Sequence, residues 1–366
     1  MGGKFINLFP KDMIKLQNNK SLIDTFDKCR FPLIVFVILI HANLTNVTFQ
    51  GIPVLDASSN ITLFLMYFLS EALTRLAVPV FFIISGYLFF YKLQQFNYRT
   101  YIGKLKRRLK SLLTPYLIWN ILAYIFIITK TLFPQLFPNI DENNILSIKY
   151  FIKGLWTLDT GGCPHLYPMW YVRDLMVMVL LSPIIYYSIK KAKLIFIIIL
   201  FLIYISPLQI PIGLGGIFFF SLGAYLNICG LNIENDFKKK YLWIFILLYL
   251  IMAIFDTLYK DIYTNNLFHK CAIIFGIISV IGISTYINMR NKLYTEASFF
   301  IFCIHIFILE NISKLLLKFI GFQNEIKIWI IYFCSIIFTI IISMIVYIIM
   351  KRYTPKILNV LIGGRL

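Results

Sequence analysis

Long apolar runs separated by short polar segments cover most of the chain. A helix that crosses a bilayer needs about 20 mainly apolar residues. Ten runs approach or exceed this length: 23–44, 61–90, 109–132, 169–188, 193–206, 211–228, 241–258, 268–287, 296–317 and 326–350. The fifth and sixth are short and meet at the turn-like Ser-Pro-Leu-Gln-Ile-Pro, which would suit a helical hairpin. The pattern predicts an all-α integral membrane fold, a bundle of about ten transmembrane helices with no separate soluble domain.

The composition strengthens this prediction. Of the 366 residues, 60% are hydrophobic and the mean hydropathy is +0.80, whereas soluble domains are about 45–50% apolar. Lipid must therefore solvate much of the surface. A net charge of +19 would suit a nucleic-acid partner in a soluble protein, but beside membrane spans these cations are orientation signals. We predict the lipid bilayer as a partner, and no nucleic acid.

Lysine and arginine are distributed unevenly between the two sides of the predicted bundle. With the amino terminus inside, the inner segments hold about 23 of the 35 and the outer connections about 8. We therefore expect a multi-pass protein of the cell (plasma or inner) membrane with both termini in the cytoplasm. The predicted parts are a cytoplasmic segment 1–22, a membrane domain 23–350 with a long outer loop near 133–168, and a cytoplasmic tail 351–366. A homo-oligomer stays open.

Two further features bear on ligands. The basic run Lys-Leu-Lys-Arg-Arg-Leu-Lys before the third span is interpreted as a lead-in that anchors to the membrane surface, in preference to a site for a polyanionic cytosolic ligand. The six cysteines form no Cys-x-x-Cys or Cys/His metal spacing. We predict neither disulfides nor a metal site.

Ionisable residues inside a span are costly and by default mark a site or a paired contact. In the first run, Arg30 and His41 are eleven residues apart, so a helix brings both to one face, about 16 Å apart along its axis. Asp27 falls on the same stripe. The stripe predicts a face turned to a cavity or to other helices. Alternatively, Arg30 extends to the inner surface and His41 is an interfacial donor.

The second run places Glu71 and Arg75 at i and i+4, the spacing of an intrahelical ion pair. Pro79 cannot donate to the Arg75 carbonyl, so a kink is expected there. Arg75 lies midway along the run, too deep to reach water easily. Ser85 and Gly86 offer a small surface with a hydroxyl, for which packing is a simpler role than catalysis.

Later runs carry fewer charges. Arg173 and Asp174 are adjacent near the outer end of the fourth run, and because neighbours on a helix point apart we expect them to serve different partners. His305 lies in the ninth run with Glu310 beyond it, and a lone buried histidine is usually a packing residue. The other two histidines fall in predicted outer loops and are interpreted as solvated: His165 and His269.

This set of side chains suits two kinds of chemistry. A neutral histidine can take a proton from an alcohol, and arginines hold a phosphate or an oxyanion without losing their charge. The sequence shows no serine-nucleophile motif and no Gly-rich phosphate loop. Direct acyl transfer to a hydroxyl activated by His41 is therefore one function. A proton-coupled transporter also lines its path with His, Arg and Glu, so the spacing leaves both open.

Four stretches, in order along nearly the whole chain, resemble acyltransferase family 3, the ten-helix integral-membrane acyltransferases: DTFDKCRFPLIVFVILIHA, TRLAVPVFFIISGYL, HLYPMWYVRDLMV and ASFFIFCIH. The Arg-x10-His pair is the most specific element. DKCRF departs from the small-residue-rich start often seen in the family, and Asp27 has no clear equivalent. The resemblance is close to members that act on bacterial surface polysaccharides.

The resemblance implies transfer of an acetyl group from cytosolic acetyl-CoA to a hydroxyl of a glycan or lipid-linked sugar, at or beyond the outer leaflet. His41 would be the base, with Arg30 and Arg75 in the catalytic centre. Donor binding would involve Arg30, Arg75, Ser85 and Tyr87. Direct transfer and an acyl-enzyme both stay open.

Seven more residues complete the expected site, as substrate-binding or supporting groups: Asp27, Glu71, Trp170, Arg173, Asp174, His305 and Glu310. Trp170, Arg173 and His305 are included because they match recurrent family positions. Some relatives carry the same membrane module in transport, so a transporter or exporter of a small molecule or glycan remains the alternative function.

Overall fold

The computed structural model describes residues 11–55, 58–93, 95–132, 145–156, 162–208, 214–231, 239–260, 267–287 and 292–366. Within these ranges, a two-residue antiparallel strand pair, β1 (Thr48–Phe49) and β2 (Ile52–Pro53), interrupts an otherwise helical chain. The α-helices are α1 (Lys11–His41), α2 (Asn60–Tyr67), α3 (Ala77–Phe90), α4 (Tyr98–Arg108), α5 (Thr114–Leu132), α6 (Ile148–Leu155), α7 (Trp170–Ala192), α8 (Leu194–Ile205), α9 (Ile217–Ile228), α10 (Lys239–Tyr259), α11 (Leu267–Tyr286), α12 (Lys292–Ile320), α13 (Glu325–Tyr353) and α14 (Pro355–Leu361).

Seven helical segments of the described chain are long and apolar enough to cross a membrane: Asn60–Phe90, Tyr98–Leu132, Tyr167–Ala192, Tyr241–Tyr259, Leu267–Tyr286, Lys292–Ile320 and Glu325–Tyr353. The two shorter apolar helices, α8 and α9, contact each other as a hairpin. The remaining predicted run corresponds to α1, which is 31 residues long and charged in its first part. Every predicted run thus coincides with helix, and the prediction of an all-α membrane protein is confirmed.

Helix α1 lies at the centre of the bundle, where it contacts α3, α11, α12 and α13. Phe26, Cys29, Leu33 and Val37 are buried along one side of it, and their three- and four-residue spacing is that of a helix face packed on its neighbours. The central position explains how polar groups on the rest of α1 can face enclosed space instead of lipid.

Helices α3 and α9 approach each other closely because glycines face the partner backbone. A Cβ on Gly86 would collide with the carbonyl of Phe220, and a Cβ on Gly223 would collide with the carbonyl of Ile83. Reciprocal small residues let membrane helices pack backbone to backbone. Packing therefore accounts for Gly86, as the sequence indicated.

The segment Asn60–Phe90 is interrupted around Arg75. Helix α2 continues into a π-helix, Phe68–Ala72, and a turn over residues 73–76 precedes α3. Pro79, in the first turn of α3, has no N–H to offer the Arg75 carbonyl. Tyr249 donates through its hydroxyl to the Leu73 carbonyl within the turn. The break predicted near Pro79 is present, and it places Arg75 on irregular backbone.

The chain after α13 folds back onto the bundle. Trp119 donates through Nε1 to the Leu361 carbonyl at 3.0 Å, which fixes the end of α14. Gly363 and Gly364 then adopt φ angles of +69° and +78°, which favour glycine. This turn brings Arg365 back towards the helices.

The bundle has two ends, a basic end and a far end. At the basic end, α13 finishes beside the start of α12, and Lys351 pairs with Glu296 at 2.6 Å. At the far end, α1 finishes and α2 and α13 begin. There Glu325 accepts hydrogen bonds from the Ser59 backbone and, at 2.9 Å, from the Thr62 hydroxyl.

Parts of two predicted segments lie outside the described residues: 1–10 of the amino-terminal segment, and 133–144 and 157–161 of the long outer loop. Between the two loop gaps lies α6, which is tied to the bundle where Tyr116 donates to the Leu155 carbonyl at 2.6 Å.

Candidate active site

The described residues line one cavity towards each end of the bundle. The basic-end cavity has a volume of about 320 Å³, and its polar lining includes Asp27, Arg30, Ser85, Arg108 and Arg365. The far-end cavity has a volume of about 210 Å³, and its lining includes His41, Arg75, Trp170 and His269. Tyr171 and Phe302 belong to the walls of both cavities. Helix α1 therefore contributes Arg30 to one cavity and His41 to the other, as the polar stripe predicted.

Three arginines from distant parts of the chain line the basic-end cavity. Arg30 pairs with Asp27 at 3.2 Å, whereas no carboxylate of the described residues pairs with Arg108 or Arg365. The Arg365 guanidinium lies 4.0 Å from the centre of the Phe299 ring. Burial lowers the pKa of Arg365 to about 10, so it stays protonated at neutral pH. The cavity thus has an excess of positive charge and is suited to an anion.

Sequence reasoning missed Arg108 and Arg365. Arg108 belongs to the basic run that was interpreted as a surface anchor, and Arg365 to the predicted tail. The charge of the run was a usable signal for Arg108. Nothing in the sequence pattern indicates that Arg365 returns to the bundle.

Ser85 lies in the wall of the basic-end cavity, on α3. Its hydroxyl is 3.1 Å from the Tyr171 hydroxyl of α7. Since Tyr171 also lines the far-end cavity, this hydroxyl pair lies where the two cavities approach each other. The expectation that Ser85 contributes to the site is consistent with its position.

His41 occupies the last turn of α1 in the far-end cavity. The hydroxyl oxygen of Tyr167 is 3.3 Å from His41 Nδ1. The ring of His305, on α12, lies beside that of His41, with the centres of the two imidazole rings 5.4 Å apart. His41 therefore has a hydroxyl at one nitrogen and a second imidazole nearby, and no described carboxylate at hydrogen-bond distance.

His305 is fully buried in α12. Its Nδ1 is 2.7 Å from the Phe302 carbonyl and must carry the hydrogen, because a carbonyl can only accept. The other nitrogen, Nε2, has no hydrogen-bond partner among the described residues. An unpaired polar atom at full burial is costly, so the packing around His305 leaves one of its two nitrogens unsatisfied.

Arg75 and Glu71 form the intrahelical ion pair predicted by their spacing. Glu71 also accepts a hydrogen bond from Asn43 Nδ2 at 3.1 Å, from the loop that follows α1. Arg75 lines the far-end cavity. The pair and the asparagine together hold a guanidinium near His41.

Two predictions about ionisable residues are wrong. Arg173 and Asp174 serve each other, with Arg173 NH2 3.0 Å from Asp174 Oδ1 in a buried pair. The Cβ atoms do diverge, but the arginine side chain is long enough to bend back in the first turn of α7. His165 and His269 are not simply solvated. The ring of His165 packs among aromatic rings and contacts the Phe151 carbonyl at 3.1 Å, and His269 pairs with a carboxylate.

The remaining expected residues are placed as follows. Trp170 lines the far-end cavity. Tyr87 is 1% exposed and packs its ring edge on Phe26, so it lines neither cavity. Glu310 lies 3.5 Å from Lys130 and also lines neither. Within the described ranges, no group of three or more His, Cys, Asp or Glu side chains is arranged to hold a metal ion.

The described chain is a multi-pass helical bundle with one cavity lined by arginines and another lined by histidines, an arrangement suited to a membrane enzyme that brings two substrates together. The acyltransferase 3 family, described as "Acyltransferase domain", matches residues 23–348, and the chain belongs to this family of acyltransferases. It is similar to the succinoglycan biosynthesis protein ExoH of Rhizobium meliloti (strain 1021), with 29% identity over 175 residues, or 46% of this chain and 45% of that protein. The match thus spans less than half the length of the relative. No solved structure matches the chain.

Proposed function

We propose that the enzyme transfers an acetyl group from cytosolic acetyl-CoA to a hydroxyl of a cell-surface glycan or lipid-linked sugar. The observation that carries this proposal is the placement of Arg30 and His41 on one helix, in two cavities that share Tyr171 and Phe302. A phosphorylated donor at one end and a hydroxylated acceptor at the other would meet near these shared walls.

The donor would enter at the basic end, which faces the cytosol in the orientation favoured by the distribution of Lys and Arg. Arg30, Arg108 and Arg365 would hold its phosphates, because guanidinium groups bind phosphate oxygens in a bidentate way. The acyl end, which is uncharged, would extend past Ser85 and Tyr171. In this orientation the start of α1 and the end of α13 would lie on the cytosolic side of the cell membrane.

The chemistry would take place at the far-end cavity. In the tautomer that donates from Nδ1 to Tyr167, His41 Nε2 carries a lone pair and takes the proton of the acceptor hydroxyl. The hydroxyl oxygen would bond to the thioester carbonyl carbon as the carbon–sulfur bond breaks. The thiolate would leave with the electron pair and take up the proton that His41 received, which returns His41 to its neutral form. Arg75, oriented by Glu71, would stabilise the oxyanion. The unpaired nitrogen of His305 offers a second lone pair beside the protonated base.

The acceptor class rests on the name of the relative, a succinoglycan biosynthesis protein, and on the composition of the far-end cavity. Aromatic walls with a few polar groups are typical of small-molecule sites in general, and the imidazoles among them could pair with sugar hydroxyls. A glycan or a lipid-linked sugar would reach this cavity from the outer leaflet.

The test is transfer by the purified protein in lipid nanodiscs. Acetyl-CoA labelled in the acetyl group is supplied with de-esterified surface polysaccharide from the producing cells, and ester label on the polysaccharide is measured. We expect label on the polysaccharide and an equal amount of released thiol. Protein that neither binds nor cleaves acetyl-CoA, but moves a solute across vesicles, would favour the transporter.

A further inference from the structure

A second histidine lines the far-end cavity and has no part in the steps above. His269 lies in the first turn of α11, a helix that contacts α1. It shares the cavity wall with His41 and Arg75. Its position was not predicted, because the sequence pattern assigned it to a solvated loop.

A buried carboxylate holds the His269 ring in one orientation. Asp256, on α10, is 4% exposed and its Oδ2 is 2.7 Å from His269 Nδ1. An ionised carboxylate can only accept, so Nδ1 carries the hydrogen. The nitrogen left for a ligand is Nε2, which has no hydrogen-bond partner among the described residues. This is the arrangement by which a carboxylate fixes the tautomer and orientation of a functional imidazole.

A purely structural role accounts poorly for this pair. Helices α10 and α11 already pack closely, with Gly276 against Tyr249 and Gly282 against Leu242. A buried ion pair is weak evidence for stability, because the desolvation of both groups offsets their attraction. His269 also lines the far-end cavity, with the buried Asp256 carboxylate as its partner. Both facts are explained if the imidazole meets a ligand.

The surroundings of His269 define the chemistry of that ligand. The same cavity is lined by the aromatic rings of Trp170, Tyr171 and Phe219, with few polar groups between them. A ligand held here presents apolar faces to the rings and hydrogen-bond donors to the imidazoles. A sugar with neighbouring hydroxyls has this character.

We infer that the Asp256–His269 pair binds the acceptor sugar, with His269 Nε2 accepting a hydrogen bond from a hydroxyl next to the one that reacts at His41. This inference rests on the proposed function, and it assigns His269 to acceptor specificity rather than to the donor or the acyl group. Binding through two hydroxyls fixes which hydroxyl lies at His41.

The decisive variant is His269→Asn. The asparagine amide nitrogen lies close to the position of Nδ1, so it keeps the donor to Asp256 and removes the cavity-facing nitrogen. Lys270→Gln is the matched control, because Lys270 is on the same turn, donates to the Ser206 carbonyl and does not line the cavity. The nanodisc assay measures transfer from labelled acetyl-CoA to de-esterified surface polysaccharide. Thiol release without polysaccharide and thermal unfolding are measured in parallel.

We expect His269→Asn to lower kcat/KM for the polysaccharide by about ten-fold or more, mainly through KM, because the site loses its partner for one hydroxyl. Thiol release without polysaccharide and Tm should stay at wild-type values, as should all three quantities for Lys270→Gln. A kcat/KM within about two-fold of wild type, or an equal fall in thiol release, would overturn the assignment. A wild-type protein that transfers no label would remove the proposed function and this inference together, whereas normal transfer with an unaffected variant removes the inference only.

Discussion

The two cavities of this protein are built from different side chains although one helix lines both. The basic-end cavity combines three guanidinium groups with the hydroxyls of Ser85 and Tyr171. The far-end cavity combines imidazoles with aromatic rings, and its guanidinium, Arg75, is neutralised by Glu71. Fixed positive charge suits a ligand that is always anionic, whereas imidazole suits a ligand that must give up a proton. The difference supports the proposal that the anionic donor binds at one level of α1 and the proton is transferred at another.

The largest expected effect is a loss of turnover, without a loss of CoA binding, when His41 is replaced. His41→Ala should lower the transfer rate by about 10³-fold, within the range for loss of a general base, and leave binding of CoA unchanged. Turnover is measured with labelled acetyl-CoA, and binding by calorimetry with CoA. His165→Asn is the control, because His165 lies at the same end and outside the cavity lining. Normal turnover in folded His41→Ala would remove the base assignment.

The next effect should appear at the other cavity. Arg108→Gln and Arg365→Gln should each weaken CoA binding by about ten-fold, because each removes a charge-assisted contact to phosphate. Binding of pantetheine, which lacks the nucleotide phosphates, should not change. Arg352→Gln is the control, since Arg352 is exposed at the end of α13 and lies over Tyr353. Equal loss of pantetheine binding would mean that the arginines support the fold and not the donor.

A smaller effect tests whether the turn at Gly363 positions Arg365. Gly363→Ala should weaken CoA binding about three-fold and lower Tm, because the residue has a positive φ and its Cβ would meet the Ser111 backbone. Gly103→Ala is the control, because a Cβ at this helical position meets open space and alanine favours helix. Unchanged CoA affinity in Gly363→Ala, with Arg365→Gln defective, would show that the turn is dispensable for placing the guanidinium.

The smallest effect is a pH dependence confined to the far end. Burial lowers the pKa of His165, and the contact with the Phe151 carbonyl only partly opposes this. The folded state therefore favours neutral His165, so its contribution to stability is present above the unfolded pKa of about 6.5 and is lost as the pH falls through the lower folded value. Protection factors against hydrogen exchange, corrected for the intrinsic rate at each pH, should fall in α6 between pH 7.5 and 5.5, while those in α14 should stay constant. The His165→Asn variant should lose this dependence. Protection factors that fall equally in both helices would contradict the assignment to His165.

The sequence predicted the elements that depend on local periodicity. The apolar runs coincide with helices, and the eleven-residue spacing placed Arg30 and His41 on a face that lines the cavities. The i, i+4 pair of Glu71 and Arg75 also followed from helix geometry. These features can be predicted from the sequence because they follow once the chain is known to be helical.

The features that were missed depend on tertiary packing. Arg365 reaches the cavity through a glycine turn after the last helices, and Asp256 meets His269 across a helix hairpin. In both cases the partner is set by how helices pack, which no local pattern contains. The prediction that Arg173 and Asp174 serve different partners was wrong for a related reason, since Cβ direction does not determine where a long, flexible side chain ends.

The segment after α14, which carries Arg365, is a practical place to modify this enzyme. A residue inside a transmembrane helix is constrained by its neighbours on every side, so exchanging it disturbs packing. Arg365 is carried by a short segment beyond the last span, joined by glycines. Under the proposed function, the affinity for the phosphates of the donor is therefore the property most open to engineering, because libraries of variants at residues 362–366 could be screened while the membrane bundle is left intact.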